Sequence, residues 1–155
     1  MELTTQQNNV FKQIKAFMES DASVFILRGY AGTGKTTMVR VVADYIAQSR
    51  QVTLMAPTGR AARILKQKTG HNAVTIHNAI YEKAYIVSKK VKDIAESEFK
   101  LVFPIHESDK EGNVVAIVDE ASMVCSKTIE HEMFVFGTDN LMDDLLTFVR
   151  PNHGG

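Results

Sequence analysis

Apolar residues recur at helical spacing through residues 4–19, where Val10, Ile14 and Phe17 share one face, flanked by Phe11 and Met18, behind a threonine suited to cap the first turn. The pattern then changes. Ser23 to Leu27 is a short apolar run without alternation, the mark of a strand covered on both faces. Thr36 to Gln48 predicts a helix, Gln51 to Ala56 a second strand, and Gly59 to Lys68 a second helix stopped by Gly70. From Thr75 to Lys92 the chain begins as helix and then loses any clear period. Phe99 to Pro104 ("FKLVFP") and Asn113 to Glu120 ("NVVAIVDE") read as strands, and the polar, glycine-containing connection "IHESDKEG" predicts that they form a hairpin. Helices are expected at Ser126 to Phe136 and Leu141 to Val149. Strand alternating with helix indicates an α/β domain. No internal repeat, low-complexity tract or linker divides it.

Composition adds little until charge is followed along the chain. The 155 residues suit one domain with a real core. No apolar run is long enough to span a bilayer, and the first residues lack the layout of a signal peptide, so no membrane partner and a cytoplasmic location are expected. The single cysteine, Cys125, has no internal disulfide partner and is expected as a small buried side chain. Residues 1–92 carry 14 Lys and Arg against 5 Asp and Glu, whereas residues 93–155 carry 4 against 13. A basic half suggests a polyanionic partner, unless the charges interleave in the fold.

The stretch "RGYAGTGKTT" carries the most specific chemistry. Gly29, Gly34, Lys35 and Thr36 fit G-x-x-x-x-G-K-[ST], between an expected strand and an expected helix. These glycines, with Gly32, let the backbone curl so that its N–H groups converge on phosphate oxygens at the positive end of the helix. Lys35 would reach the outer phosphates and Thr36 would ligate Mg²⁺, with Thr33 and Thr37 completing the nucleotide-binding set. Such a site needs a carboxylate from a neighbouring strand end and a group that orients water. "VVAIVDE" supplies both, Asp119 for the metal and Glu120 as general base.

"APTGRAA" follows the second expected strand. Thr58, Gly59 and the helix start offer N–H groups to a second phosphate, with Arg60 and Arg63 adding charge; the same residues also read as an N-capped surface helix. Tyr81 and Tyr85 can stack on bases, although packing is the simpler expectation for both.

Taken in order, "LTTQQ", "GYAGTGKTT", "APTGRAA", "TIHNAIY" and "VDEASMV" resemble the first motor domain of a superfamily 1 DNA helicase of the RecD-like, 5′-to-3′ type, over residues 3–124. The resemblance implies a RecA-like, P-loop NTPase domain of three layers with a mainly parallel central sheet. It implies ATP and Mg²⁺ as cofactors, single-stranded DNA as partner, adenine recognition by Gln7, DNA contacts at Pro57, Thr58, Gly59, Thr75 and His77, and catalytic roles for Lys35 and Glu120; Arg60 joins the DNA-facing set on its charge. In that family the chain continues into a further strand and a second motor domain, which supplies a transition-state arginine worth about 10³–10⁵ in rate. Residues 1–155 therefore correspond to the N-terminal part of the first motor domain, an apparently truncated unit expected to bind nucleotide but turn it over poorly. The family's next strand lies between the phosphate-loop strand and the Asp119 strand, so rearrangement or self-association is expected to fill that gap. Two other readings stay open on the residues alone: a nucleotide-gated loader module without helicase activity, and a small-molecule kinase.

Overall fold

Thr4 starts the first helix with a reciprocal cap. Its Oγ1 accepts from Gln7 N (3.2 Å), and its own N–H donates to Gln7 Oε1 (3.0 Å), satisfying two of the donors that a helix start leaves free. The structure, a computed structural model, describes residues 3–30, 32–90, 97–106 and 114–149. Its elements in chain order are α1 (Thr5–Met18), α2 (Lys35–Ile46), β1 (Gln51–Ala56), α3 (Gly59–Thr69), β2 (Ala73–Thr75), α4 (Ile76–Ile80), β3 (Tyr85–Lys90), β4 (Ser97–Phe103), β5 (Val114–Val118), a short 3₁₀ turn (Ala121–Met123), β6 (Phe134–Phe136) and α5 (Leu141–Val149).

β1 pairs in parallel with β2 on one side and β5 on the other, in the order β2-β1-β5. Side chains alternate across a strand, and here the two faces have different partners. Val52 and Leu54 of β1, with Val115 and Ile117 of β5, pack on one side against Met38, Val42, Ala43 and Ile46 of α2, Ile14 of α1 and Leu65 of α3. Met55, Ala116 and Val118 face the other way, onto Ile76 and Ile80 of α4 and Leu145 and Phe148 of α5. The result is the expected three-layer α/β arrangement with a parallel central sheet. α3 ends where expected, with Gly70 left-handed at φ +77°.

Ser23–Leu27, expected as a strand, forms no ladder among the described residues. Phe25 alone tucks into the α1/α2 cluster beside Val115 and Ile117, while Val24 and Ile26 are 54% and 70% exposed. Apolar content gave the run strand character, but a strand exists only through its partner's hydrogen bonds, and among the described residues β5 is paired on its β1 side alone.

The expected hairpin of residues 99–104 with 113–120 is also absent. β4 instead pairs antiparallel with β3, from Tyr85 opposite Val102 to Lys90 opposite Ser97, and parallel with β6. β5 goes to the other sheet, where its all-apolar, β-branched sequence suits a two-sided environment. Residues 126–136, expected as a helix, form an irregular segment ending in β6. Ile129, Met133 and Phe136 mimic a helical spacing, but Phe134–Phe136 register against Leu101–Phe103 and Phe103 stacks on Phe136 with ring centroids 4.5 Å apart. Cys125 is half-buried rather than buried, its sulfur accepting from Lys127 N (3.4 Å).

The second sheet is fastened to the first through Asp144 of α5, which is fully buried. Its carboxyl oxygens accept from Tyr81 Oη (2.6 Å), Thr138 Oγ1 (2.7 Å) and Thr138 N (3.1 Å). Burial pushes the Tyr81 phenol well above its ordinary range, reinforced by the hydrogen bond to Asp144 and the charges of Asp144 and Asp139. Buried acceptors of this kind lose more when a donor is removed than the bond itself contributes. Tyr81→Phe, which keeps the ring, should therefore lower the unfolding free energy by about 1.5–3 kcal/mol, read as a lower urea midpoint at unchanged slope.

Candidate functional site

β1, β2 and β5 run parallel, so the segments leaving their C-terminal ends emerge along one edge. In open α/β sheets ligands gather at that edge. β1 releases Pro57, Thr58, Gly59 and Arg60; β2 releases Thr75 and then His77; β5 releases Asp119 and Glu120. The glycine-rich loop follows the Ser23–Leu27 run and leads into α2.

Two of the loop's glycines, Gly32 (φ +79°) and Gly34 (φ +81°), are left-handed, a conformation costly for any side chain. Lys35 extends its ammonium over the loop, donating to Gly29 O (2.7 Å) and Tyr30 O (2.8 Å), while Thr33 Oγ1 donates to Tyr30 O (2.8 Å). The first helical bond of α2 runs from Met38 N to Gly34 O (3.0 Å), so the N–H groups of Lys35, Thr36 and Thr37 precede the helix ladder and carry its positive end. Gln7 approaches from α1: a Cβ placed on Gly34 would lie 2.7 Å from Gln7 Nε2, and one on Gly29 would lie 2.9 Å from Thr33 Oγ1. The cap that begins α1 thus also aims the Gln7 amide at the loop.

On β5, Asp119 N donates to Met55 O (2.9 Å), carrying the ladder one residue beyond the strand, and Asp119 Oδ1 accepts from Glu120 N (3.0 Å). Glu120 is exposed and left-handed at φ +54°. Such backbone costs on the order of 1–3 kcal/mol in a non-glycine residue and concentrates at functional positions. Among the described residues no three His, Cys, Asp or Glu side chains converge as a metal site. Mg²⁺ needs no such cluster, since it is commonly held by one or two protein oxygens with phosphate and water completing the shell. The Thr36 hydroxyl and the Asp119 carboxylate are donors of that hard-oxygen type, and the glycine cradle beside Lys35 suits a polyphosphate.

Thr58 Oγ1 accepts from Ala61 N (3.2 Å) and Thr75 Oγ1 from Asn78 N (3.2 Å), so both hydroxyls cap helices. Arg60 and Arg63 are exposed on α3. Tyr81 is 9% exposed and Tyr85 54%, so Tyr81 packs and Tyr85 projects from β3. The ring of His77 meets Tyr81 and Phe136 with centroids 5.6 and 5.4 Å away, and partial burial holds its pKa below the usual histidine value. Residues 125–139, which border His77, were hidden from sequence reasoning because their period imitates a helix.

The sequence family described as AAA domain matches residues 2–134. The chain belongs to the AAA domain family. This AAA domain is 41% identical over 80 residues, 44% of the chain, to the ATP-dependent RecD2 DNA helicase of Deinococcus radiodurans. It is 30% identical over 104 residues, 61% of the chain, to the ATP-dependent DNA helicase dda of enterobacteria phage T4. An uncharacterised protein of Methanocaldococcus jannaschii is 29% identical over 126 residues, 76% of the chain. The matched segments span 11%, 24% and 10% of those three proteins. The AAA domain is thus a P-loop α/β domain similar in sequence to two helicases. Among the described residues no helix is long and apolar enough to cross a membrane.

Two consequences can be measured. Gly34→Ala must adopt a left-handed backbone and displace Gln7, so it should cost about 1–2 kcal/mol in stability, seen by denaturant unfolding. His77 binds its proton more weakly folded than unfolded, so the unfolded state takes up protons first as pH falls. Its contribution is complete above pH 6.5 and is lost as pH drops below that value. His77→Gln should flatten the thermal midpoint between pH 7 and 5.

Proposed function

We propose that this AAA domain is the nucleotide-binding part of a DNA helicase motor of the RecD-like, 5′-to-3′ type, acting in the cytosol and coupling ATP hydrolysis to movement along single-stranded DNA and duplex unwinding. The observation that carries the reading is the meeting of Gln7, from α1, with the glycine loop that Lys35 spans. An amide suited to a purine edge, next to a glycine loop suited to phosphates, supports this reading. Gly29, Gly32, Thr33, Gly34 and Thr37 shape the cradle, Lys35 neutralises phosphate charge, and Thr36 with Asp119 would hold Mg²⁺, which when bound offsets charge building up on the transferred phosphoryl group. Glu120, exposed beside Asp119, is the group that takes the proton of the attacking water.

Pro57, Thr58, Gly59, Arg60, Thr75 and His77 form the proposed DNA-facing set. One electrostatic detail supports it. α3 has no acidic residue in its first turn and carries Arg60 there, against the preference of a helix start for negative charge. A phosphate at this point would relieve that opposition. The likeness to two ATP-dependent DNA helicases supports the same reading. We propose further that residues 1–155 belong to the first of two motor domains, that the second supplies the missing transition-state charge, and that without it the chain binds ATP, turns it over slowly and tends to self-associate.

ATP turnover should be compared for this chain and for a longer polypeptide that carries it, each with and without single-stranded DNA. Strong DNA stimulation in the longer protein beside a nearly inert chain is the expected result; no stimulation in the longer protein overturns the DNA-motor reading while leaving the phosphate loop in place. In the longer protein Lys35→Ala should abolish ATP binding in filter or fluorescence assays. Glu120→Gln should keep binding but lower turnover by about 10²–10⁴.

A further inference from the structure

Beside His77 is a cavity of about 120 Å³ that no part of the nucleotide site uses. Its walls are the rings of His77, Tyr81 and Phe136, closed by His131, Ile129 and Leu141, with Lys127 and Asp139 contributing charge. The floor is fixed: Tyr81 is tied to Asp144, and Phe136 meets His77 edge-on at 85°. Asp139 is left-handed at φ +59° and closes the turn after β6, its Oδ1 accepting from Phe136 N (3.0 Å). The outer wall is accessible, since Lys127, Ile129 and His131 are exposed. Lys127 makes no ion pair among the described residues. Although two histidines, Cys125 and Asp139 line the space, no metal-holding group forms there among the described residues, so its chemistry is that of a stacking slot.

The geometry points to a pocket for one unstacked base of single-stranded DNA, with Lys127 meeting the adjoining phosphate. Size limits the occupant: an apolar cavity of about 150 Å³ holds benzene, so this smaller, half-open space can take one ring of a base, with the rest left in its mouth, and excludes a whole nucleotide. Aromatic walls suit the π-face that every base presents, and the free oxygen of Asp139 offers an acceptor to a base N–H. Position supplies the link to a strand. The pocket is built from chain leaving the C-terminal ends of β2 and β5, and His77 lies two residues beyond Thr75 on the proposed DNA path. This inference rests on the DNA-motor reading and adds to it a base-binding slot formed largely by residues 125–141.

The test uses the 155-residue chain and end-labelled oligothymidine carrying a single 2-aminopurine at successive positions. Anisotropy reports affinity and 2-aminopurine emission reports the environment of that base. The expected result is an emission change confined to one position in the bound strand. His131→Ala should remove that change and weaken binding by no more than the roughly 5- to 150-fold that stacking of one base contributes, and Lys127→Ala should weaken binding and reduce its salt dependence. Both residues are exposed, so folding of these variants is not at issue, and circular dichroism verifies it. Tight DNA binding with uniform emission, or with emission and affinity unmoved by both variants, overturns the pocket and leaves the DNA reading standing. Displacement of the signal by free adenosine at the same concentration as by oligonucleotide overturns it in favour of a small-molecule site. Absence of DNA binding in a chain that still binds ATP overturns the DNA reading, and the pocket with it.

Discussion

The parallel pairing of β1 with β5, continued by the hydrogen bond from Asp119 N to Met55 O, is the constraint from which the site follows. β1 is flanked on both edges and covered on both faces, with Leu54, Met55 and Ala56 almost inaccessible to solvent. Shifting its register by one residue would turn Leu54 and Met55 to the wrong layers, so the register is held by burial on two sides. Once it is held, the ends of β1 and β5 are level. Thr58 and Asp119 then leave the same edge whatever their loops do.

The phosphate loop depends on a different economy. Its strand-like approach, Ser23–Leu27, has no ladder among the described residues, so the loop is positioned from its other end and from the side. α2 anchors it through Met38, Val42 and Ile46 in the core, and α1 closes over it through Gln7. Because the Gln7 side chain is already fixed by bonding back to Thr4 N, its reach to Gly34 carries little further entropic cost. A capping residue and a residue that reaches the glycine loop are here the same side chain.

Much of this was legible in the sequence. Periodicity located α1, α2, α3 and α5 and gave β1 its full length, because each has a single dominant environment on each face. The glycine-lysine-threonine spacing marked the loop, since only glycine accepts the left-handed backbone found at Gly32 and Gly34. What failed shares one cause: partner choice. The strand character of Ser23–Leu27, β4 and β5 was visible, but the partners of these segments are set by long-range contacts that no local window contains. β6 was missed because Ile129, Met133 and Phe136 fall at a helical interval while Phe134–Phe136 answer to Phe103 across the sheet. Nothing in the sequence singles out Asp144; only the fold brings Tyr81 and Thr138 to it.

The split of charge along the chain also takes on meaning only in three dimensions. On α3, Lys66 and Lys68 lie in the last turn, where cations oppose the negative end of the helix and need no further explanation. Arg60 lies at the opposite end, where the same field disfavours it. Three basic residues on one helix thus have different physical standing, Lys66 and Lys68 as a structural pair and Arg60 placed at a cost. The acidic half is distributed likewise: Asp144 is consumed in holding the two sheets together, whereas Glu120 is exposed in a conformation that costs free energy. Of the residues held against their preferences, Asp139 serves the turn after β6, whereas Arg60 and Glu120 both follow the C-terminal ends of strands in the central sheet. That shared edge argues more strongly for a working site there than the net charge of either half.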